Sequence, residues 1–130
     1  MRFIYYEEEL IRPKDGIFVF GSNLAGMHGK GAALTAKLHY GAITGHEQGF
    51  TGQSYAIPTK DWDLITLDLW LIAVHIKRFQ EAAVKQPYTM FWVTRVGCGL
   101  AGYNNSQIAP LFRDSPDNCI FHRAWRDYLE

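Results

Sequence analysis

Apolar runs and polar breaks divide the chain into alternating strand-like and helix-like segments. Residues 17–20 are continuously apolar and stop at Gly21, a pattern typical of a central strand that is covered on both faces. Residues 54–57 form a similar run, which ends at Pro58. The predicted strands are residues 3–6, 17–20, 54–57, 91–96 and 119–121.

The clearest helix lies where apolar residues recur at alternating steps of four and three, which marks one face of an α-helix. These positions are Ile65, Leu69, Ile72, Ile76, Phe79 and Ala83. Asp63 or Thr66 is a candidate N-cap for this helix, and Pro87 follows its end. Shorter helices are predicted at residues 32–39, 106–112 and 124–129, with a glycine-containing connection at 40–52 and a turn at 114–118.

Strands that alternate with helices predict a three-layer α/β sandwich, and 130 residues suit a single domain, residues 1–130. In such a sheet, ligands lie outside the carboxyl ends of the strands. Two glycine-rich loops and the segment that holds Thr59 and Lys60 lie at the ends of predicted strands. We therefore expect these segments to converge on one edge of the sheet.

Composition argues against several classes of function. The chain has 13 basic and 13 acidic side chains, so its net charge does not support direct nucleic-acid binding. No apolar stretch approaches the roughly 20 residues that cross a bilayer, and the N-terminus is unlike a signal peptide. The two cysteines form no disulfide framework, and the five histidines lack metal-ligand spacing. We expect a cytoplasmic protein with no membrane association and no metal site.

The first glycine loop follows a strand and precedes a helix, which is the geometry of many phosphate sites. Leu24 and Gly31 break the pattern of a nucleoside-triphosphatase loop, and Leu34 breaks the dinucleotide-binding pattern. A generic anion-binding loop is predicted; the alternative is a tight turn with polar side chains in solvent. The candidate ligand-binding residues here are Gly21, Ser22, Asn23, His28, Gly29, Lys30, Gly31 and Ala32.

The second glycine loop follows residues 91–96 and pairs with the first loop as the other half of a phosphate site. Its candidate ligand-binding residues are Gly97, Cys98, Gly99, Leu100, Ala101, Gly102 and, just beyond it, Tyr103. A nucleophilic thiol at Cys98 would need a nearby base and a lowered pKa. The sequence places no base there, so a packed and inert thiol is the favoured interpretation.

Thr59 and Lys60 follow the strand that Pro58 ends, and both are candidate ligand-binding residues. A lysine at this edge can neutralise phosphate charge, or attack an electrophilic carbon if its pKa is lowered. The alternative is a solvated lysine without a role.

Three motifs occur in an order that resembles the macrodomain superfamily. They are Gly-Lys-Gly-Ala-Ala at 29–33, Ile-Pro-Thr-Lys at 57–60 and Gly-Cys-Gly-Leu at 97–100. The chain is most similar to the branch that removes ADP-ribose from acidic side chains or DNA bases, and to related uncharacterised phage and bacterial proteins. The resemblance implies a three-layer α/β/α macrodomain-like sandwich with a mixed sheet. It also implies ADP-ribose or an ADP-ribosylated substrate as the partner.

The resemblance assigns roles residue by residue. Asn23 matches the asparagine beside the distal ribose, and Lys60 matches the lysine taken as nucleophile or charge stabiliser. These two are the candidate catalytic residues; no cofactor is implied. Two departures stand out: Ala101 occupies a slot that is aspartate in some members, and the adenosine-binding aspartate has no clear match, with Asp15 as a candidate.

Two functional hypotheses follow, with a third as the plain alternative. The chain binds ADP-ribose or a related nucleotide diphosphate and hydrolyses an ADP-ribosyl linkage on protein or nucleic acid. Alternatively, it captures or sequesters such a ligand without turnover, which the Ala101 departure favours. In the third hypothesis, the glycine loops are only turns of a structural or interaction protein.

Overall fold

A computed structural model of the chain describes residues 2–9, 11 and 13–130. Met1, Leu10 and Arg12 lie outside the described residues; Leu10 and Arg12 fall in the polar segment that follows the first predicted strand. The strands are β1 Ile4–Tyr6, β2 Ile17–Asn23, β3 Gly49–Thr51, β4 Ser54–Lys60, β5 Phe91–Val93 and β6 Cys119–His122. The α-helices are α1 Gly31–His39, α2 Leu69–Val84, α3 Asn105–Ile108 and α4 Arg126–Leu129, with 3-10 turns at Ala109–Phe112 and Arg123–Trp125.

The strands form one mixed sheet in the order β1-β6-β5-β2-β4-β3. All neighbouring pairs are parallel except β3 with β4, which is antiparallel. The carboxyl ends of the five parallel strands therefore share one edge, and β2 lies between β5 and β4.

Helices cover both faces of the sheet. Side chains along a strand alternate between the two faces, so each central strand contributes to two buried clusters. Phe18 and Phe20 of β2 lie in one buried cluster with Ala36 of α1. Val19, between them, belongs to the opposite cluster with Ile72 of α2. The predicted three-layer α/β sandwich with a mixed sheet is confirmed.

Two strands extend beyond their predicted ends. β2 continues through Gly21 to Asn23, and β4 continues through Pro58 to Lys60. Pro58 is tolerated because β3 pairs with β4 only as far as Ala56, so no neighbouring strand needs an N–H from it on that side. The extension carries the residues of interest to the sheet edge within regular structure instead of a free loop.

Other boundaries also differ from the prediction. α2 begins at Leu69 with Asp68 as N-cap, so the predicted caps at Asp63 and Thr66 are wrong and Ile65 lies outside the helix. β5 ends at Val93, because a tight turn follows in which the Val96 N–H donates to the Thr94 carbonyl. The short strand β3 was not predicted, since its residues lie in a glycine-rich connection.

Within residues 2–9, 11 and 13–130, no helix has the length and apolar character needed to cross a membrane.

Candidate functional site

A cavity of about 540 Å³ opens at the carboxyl ends of the parallel strands, and both glycine loops line it. Most of the predicted site residues meet there. Those that line the cavity are Gly21, Ser22, Asn23, Gly29, Lys30, Gly31, Ala32, Thr59, Lys60, Gly97, Cys98, Gly99, Leu100 and Ala101. The two loops therefore flank one open space at one edge of the sheet.

Three predicted ligand-binding residues do not line this cavity: His28, Gly102 and Tyr103. His28 is buried, and its ring packs edge-on against Phe20 with 5.3 Å between ring centroids. Burial lowers the pKa of His28, so the ring is neutral at pH 7. The Tyr103 hydroxyl donates to the Leu67 carbonyl over 2.7 Å, which ties the second loop to the segment before α2.

The first loop is a closed turn followed by an open helix start. The Asn23 side-chain amide donates to the Met27 carbonyl over 2.8 Å, and its oxygen accepts the Met27 N–H over 3.0 Å. Gly29 and Gly31 then face open space, since a Cβ built at either position meets no atom within 4 Å. No side chain caps the helix that begins at Gly31. The first N–H groups of α1 consequently have no partner within the helix and can bind an anion at this end.

The second loop is held tightly by its own backbone. The Tyr103 N–H donates to the Gly97 carbonyl over 2.9 Å, and the Gly102 N–H donates to the Gly99 carbonyl over 3.0 Å. Gly97 has a φ of +77°, and a Cβ there would lie 3.0 Å from Cδ1 of Ile108. Gly99, by contrast, has open space where a side chain would begin. At Gly97 and Gly99 the loop thus offers rigid backbone without side chains, while Cys98, Leu100 and Ala101 also line the cavity.

Lys60 lies beside Asn23, because the two residues are partners in the β2–β4 register. A register shift between Ser22 and Asn23 sets this pairing, and the Leu24 N–H donates to the Lys60 carbonyl over 2.9 Å. The buried Thr59 hydroxyl donates to the Ser22 carbonyl over 3.1 Å. Strand extension therefore brings the two candidate catalytic residues together at one end of the cavity.

The other end of the cavity carries an ion pair that the sequence analysis missed. The Arg95 guanidinium lies 2.8 Å from the Glu9 carboxylate, and both residues line the cavity. Nε2 of the buried His122 lies 3.7 Å from Glu9. Burial, and then the positive charge of Arg95, lower the pKa of His122, while Glu9 raises it. A carboxylate and a guanidinium therefore stand side by side at this end.

Asp15, the earlier candidate for an acidic ligand-binding residue, lies elsewhere. It borders a separate depression with Tyr88 and Trp92 and does not line the main cavity. Glu9, and not Asp15, lines the cavity. An acidic residue shortly after the first predicted strand was the available signal, and it was not used.

Further residues that line the cavity escaped the sequence analysis as well. Ala33 and Thr35 could have been found as the next residues of α1, and Thr94 and Val96 as the flank of the second loop. No sequence pattern predicts that Leu64 lines the cavity, because this residue lies in a turn that precedes α2. Among the described residues, the missed lining residues are Glu9, Ile11, Phe18, Met27, Ala33, Thr35, Leu64, Thr94, Arg95 and Val96.

The chemistry available in the cavity is limited. Burial raises the pKa of the Cys98 thiol to about 11, so this side chain is not a ready nucleophile at pH 7. Among the described residues that line the cavity, Glu9 carries the only carboxylate, and it is paired with Arg95. Across the described part of the chain, no group of three or more histidine, cysteine or acidic residues could hold a metal ion.

The architecture is that of a macrodomain-like α/β protein, as the comparison with solved structures shows. The macrodomain of Mycobacterium tuberculosis DarG matches with a TM-score of 0.68 and 20% identity, over 92% of this chain and 96% of that one. Thermosipho africanus DarTG in complex with ADP-ribose matches with a TM-score of 0.58 and 19% identity, over 82% of this chain and 38% of that one. No family profile and no curated protein matches the sequence. At these identities the likeness establishes the fold, and the predicted macrodomain-like sandwich is confirmed.

Proposed function

We propose that the cavity binds ADP-ribose or a closely related nucleotide diphosphate. The observation that carries the proposal is one cavity of about 540 Å³ that runs between two glycine loops, from an ion pair at one end to Asn23 and Lys60 at the other. The strand order separates β1 from β4 by four strand spacings, or about 19 Å. A long ligand with a central anionic group suits this arrangement, and the Thermosipho protein of the same fold was solved with ADP-ribose.

The central part of the cavity is suited to a diphosphate. The backbone at Gly29, Gly31 and Gly99 is open to close approach, because nothing fills the space of a Cβ at these positions. The uncapped start of α1 adds N–H groups and the positive end of the helix dipole. Lys30 lines the same part of the cavity and supplies a full positive charge.

The two ends of the cavity differ in chemistry. Glu9 and Arg95 provide an acceptor and several donors side by side, which suits a base that carries both an amino group and ring nitrogens. Asn23 and Lys60 lie at the far end, where the second sugar of the ligand would reach. We therefore place the nucleoside at the Glu9 end and the distal ribose at the Lys60 end.

Capture of the ligand without turnover is the function that we favour over hydrolysis. The described lining residues provide no carboxylate near Lys60, the Cys98 thiol is protonated, and the Asn23 amide is engaged by Met27. Glycosidic hydrolysis by a lysine would need a partner that activates water or takes a proton. Hydrolysis remains the second candidate because Lys60 lines the cavity at the right end.

Titration calorimetry with ADP-ribose tests the binding proposal directly. We expect a saturable signal at micromolar to millimolar ligand, and weaker binding of AMP, which lacks the second phosphate and the second sugar. Absence of heat up to millimolar ADP-ribose would contradict the proposal. Ribose 5-phosphate serves as the control for the distal end alone.

Turnover is tested separately with an ADP-ribosylated peptide and an ADP-ribosylated oligonucleotide. We expect no release of ADP-ribose above the uncatalysed rate, and we expect Lys60→Ala to weaken binding only. Release that depends on Lys60 would replace capture by hydrolysis as the function. Release that persists in Lys60→Ala would show that the lysine is not the catalytic group.

A further inference from the structure

A connecting segment, residues 43–48, packs against the first glycine loop, and none of its residues lines the cavity. We call this segment the strap. The Gly45 N–H donates to the Gly26 carbonyl over 2.7 Å, and the Ser22 hydroxyl donates to the Glu47 carbonyl. Ser22 itself lines the cavity, so the strap is bonded directly to a residue of the ligand site.

The other end of the strap is attached to the α2 side of the sheet. The Gln48 amide donates to the Tyr55 hydroxyl over 3.0 Å, and Nδ1 of His75 lies 2.8 Å from the Gln48 side-chain oxygen. Tyr55 belongs to the same buried cluster as Ile72 of α2. The strap therefore joins the first loop to α2.

Two histidines lie at the contact between the strap and the first loop. His28 of the loop is 2% exposed, and neither of its ring nitrogens has a hydrogen bond of normal geometry to a described residue. Nε2 of His46, on the strap, is buried without such a partner as well. Buried polar atoms normally have partners, so three unpartnered ring nitrogens at one contact call for a physical reason.

The surroundings of His28 favour a neutral ring over a protonated one. The titratable groups that act on this ring are Lys37 of α1 and His46 of the strap, and β2 contributes the apolar ring of Phe20. Burial, and then the charge of Lys37, lower the pKa of His28, while the His46 backbone raises it. A protonated His28 gains no carboxylate partner from these groups, and movement of the strap would give the charged ring access to water.

The far end of the strap responds differently, because its hydrogen bonds tolerate a proton. Nδ1 of His75 can donate to the Gln48 oxygen whether the ring is neutral or protonated. The hydrogen bond between Gln48 and Tyr55 involves no group that titrates between pH 5 and pH 8. The strap can therefore separate at the loop end while it stays attached to α2.

We propose that protonation of His28 and His46 releases the strap from the first glycine loop and weakens ligand binding in the cavity. This inference rests on the proposed function, because the released loop is one of the two that hold the diphosphate. The two hydrogen bonds between strap and loop transmit the change. Added positive charge near an anion site would by itself tighten binding, so release predicts the opposite sign.

Calorimetry with ADP-ribose at pH 7.5 and pH 5.5 tests the coupling. The diphosphate of ADP-ribose keeps its charge over this range, so a change in affinity reports on the protein. We expect about threefold weaker binding at pH 5.5, the loss that results when about one third of the molecules keep the strap in place. Equal or tighter binding at pH 5.5 would contradict the proposal.

His28→Leu separates the strap from the other titrating groups. Leucine keeps an apolar side chain against Phe20, loses no hydrogen bond of normal geometry and cannot be protonated. We expect the ratio of affinities at the two pH values to fall to about one. His122→Gln is the matched comparison at the other end of the cavity, where the ring lies 3.7 Å from Glu9, and it should keep the wild-type ratio. Loss of the ratio in His122→Gln alone would assign the pH dependence to the ion pair and overturn the proposal.

Hydrogen exchange of the free protein, followed by NMR, detects release of the strap without a ligand. We expect protection of the Gly45 N–H to fall at least about tenfold more than that of the Phe91 N–H between pH 7.5 and pH 5.5, after correction for intrinsic exchange. The Phe91 N–H donates to the Asn118 carbonyl over 2.9 Å and serves as the control for global unfolding. An equal loss at both amides would show that the strap is not released locally. If ADP-ribose does not bind at pH 7.5, the proposed function fails, and this measurement still decides whether the strap responds to protonation.

Discussion

Gly29 and Gly99 have a property that no other lining glycine shares. Each faces open space, and neither needs the positive φ that makes a side chain unfavourable. Gly31 is also open, but its φ of +59° would strain any other residue. Substitution at Gly29 or Gly99 therefore separates the effect of filling the cavity from the effect of disturbing the backbone.

Gly29→Val is expected to lower ADP-ribose affinity at least tenfold while the melting temperature changes by less than about 2 °C. The new side chain would occupy space that the diphosphate needs, and apart from its chain neighbours no protein atom lies within 4 Å of its Cβ. Calorimetry and thermal unfolding of the same variant measure the two quantities. Unchanged affinity would show that the first loop does not contact the ligand.

Asn23→Ala is expected to destabilise the protein by about 1 kcal/mol, since the hydrogen bonds of the Asn23 side-chain amide with the Met27 carbonyl and the Met27 N–H are lost. Urea unfolding provides the measurement. Asn23→Asp is the matched comparison, because it keeps the acceptor for the Met27 N–H and loses only the donor. It should fall between the wild type and Asn23→Ala.

Most lining residues in the glycine-rich loops could be predicted from the sequence, because glycines, which lack side chains, are identified directly by residue type. It did not allow prediction of the ion pair between Glu9 and Arg95. These two residues are far apart in the chain, and only the adjacency of β1, β6 and β5 brings them together. Likewise, the engagement of Asn23 with Met27 depends on a local turn geometry that residue types do not determine.

Among the elements, α2 shows how well apolar periodicity predicts the buried face of a helix and how poorly it predicts where the helix begins. Four of the six predicted face positions are fully buried, namely Ile72, Ile76, Phe79 and Ala83. Ile65 fits the same periodicity but is exposed, because the turn at Asp61 precedes the helix. The hydrogen bonds of the Asp61 carboxylate hold this turn ahead of the helix, and the spacing of apolar residues carries no information about them.

Phe79→Ala is expected to reduce the free energy of unfolding by about 3–5 kcal/mol. Phe79 is fully buried on α2, with ring centroids of Tyr55 and Phe91 at 5.2 and 5.5 Å. Trp70→Ala is the control on the same helix, since Trp70 is 65% exposed. It should change stability by less than about 1 kcal/mol in the same urea titrations. Equal effects of the two variants would contradict the assigned face of α2.

For the molecule as a whole, three histidines make stability depend on pH. Burial is the largest cause that lowers the pKa of His28, His75 and His122 below the ordinary value of 6.5. The unfolded chain therefore binds more protons than the folded chain just below pH 6.5. The stability from keeping these rings neutral is fully present above this value and is lost as the pH falls through the lowered folded values.

Urea titrations at pH 7.5 and pH 5.5 are expected to give a smaller free energy of unfolding at the lower pH. His75→Gln should reduce the difference, because glutamine cannot titrate and can still bond Gln48, which lies 2.8 Å from Nδ1 of His75. The Tyr5 hydroxyl is the chief cause that lowers the pKa of Glu130. Protonation of Glu130 therefore affects stability only below about pH 4.5, outside the range between the two titrations. Equal stability at the two pH values would contradict the assignment.

The contact between Gly26 and Gly45 has a consequence for the evolution of the site. A Cβ at Gly26 would lie 2.5 Å from the Gly45 backbone, and the Gly45 N–H donates to the Gly26 carbonyl over 2.7 Å. Neither residue lines the cavity, yet a methyl group at Gly26 would push the two segments apart and displace the turn that positions Met27. Glycine at position 26 is thereby required by the close approach of a second segment, whereas a Cβ at Gly45 itself would meet no neighbouring segment.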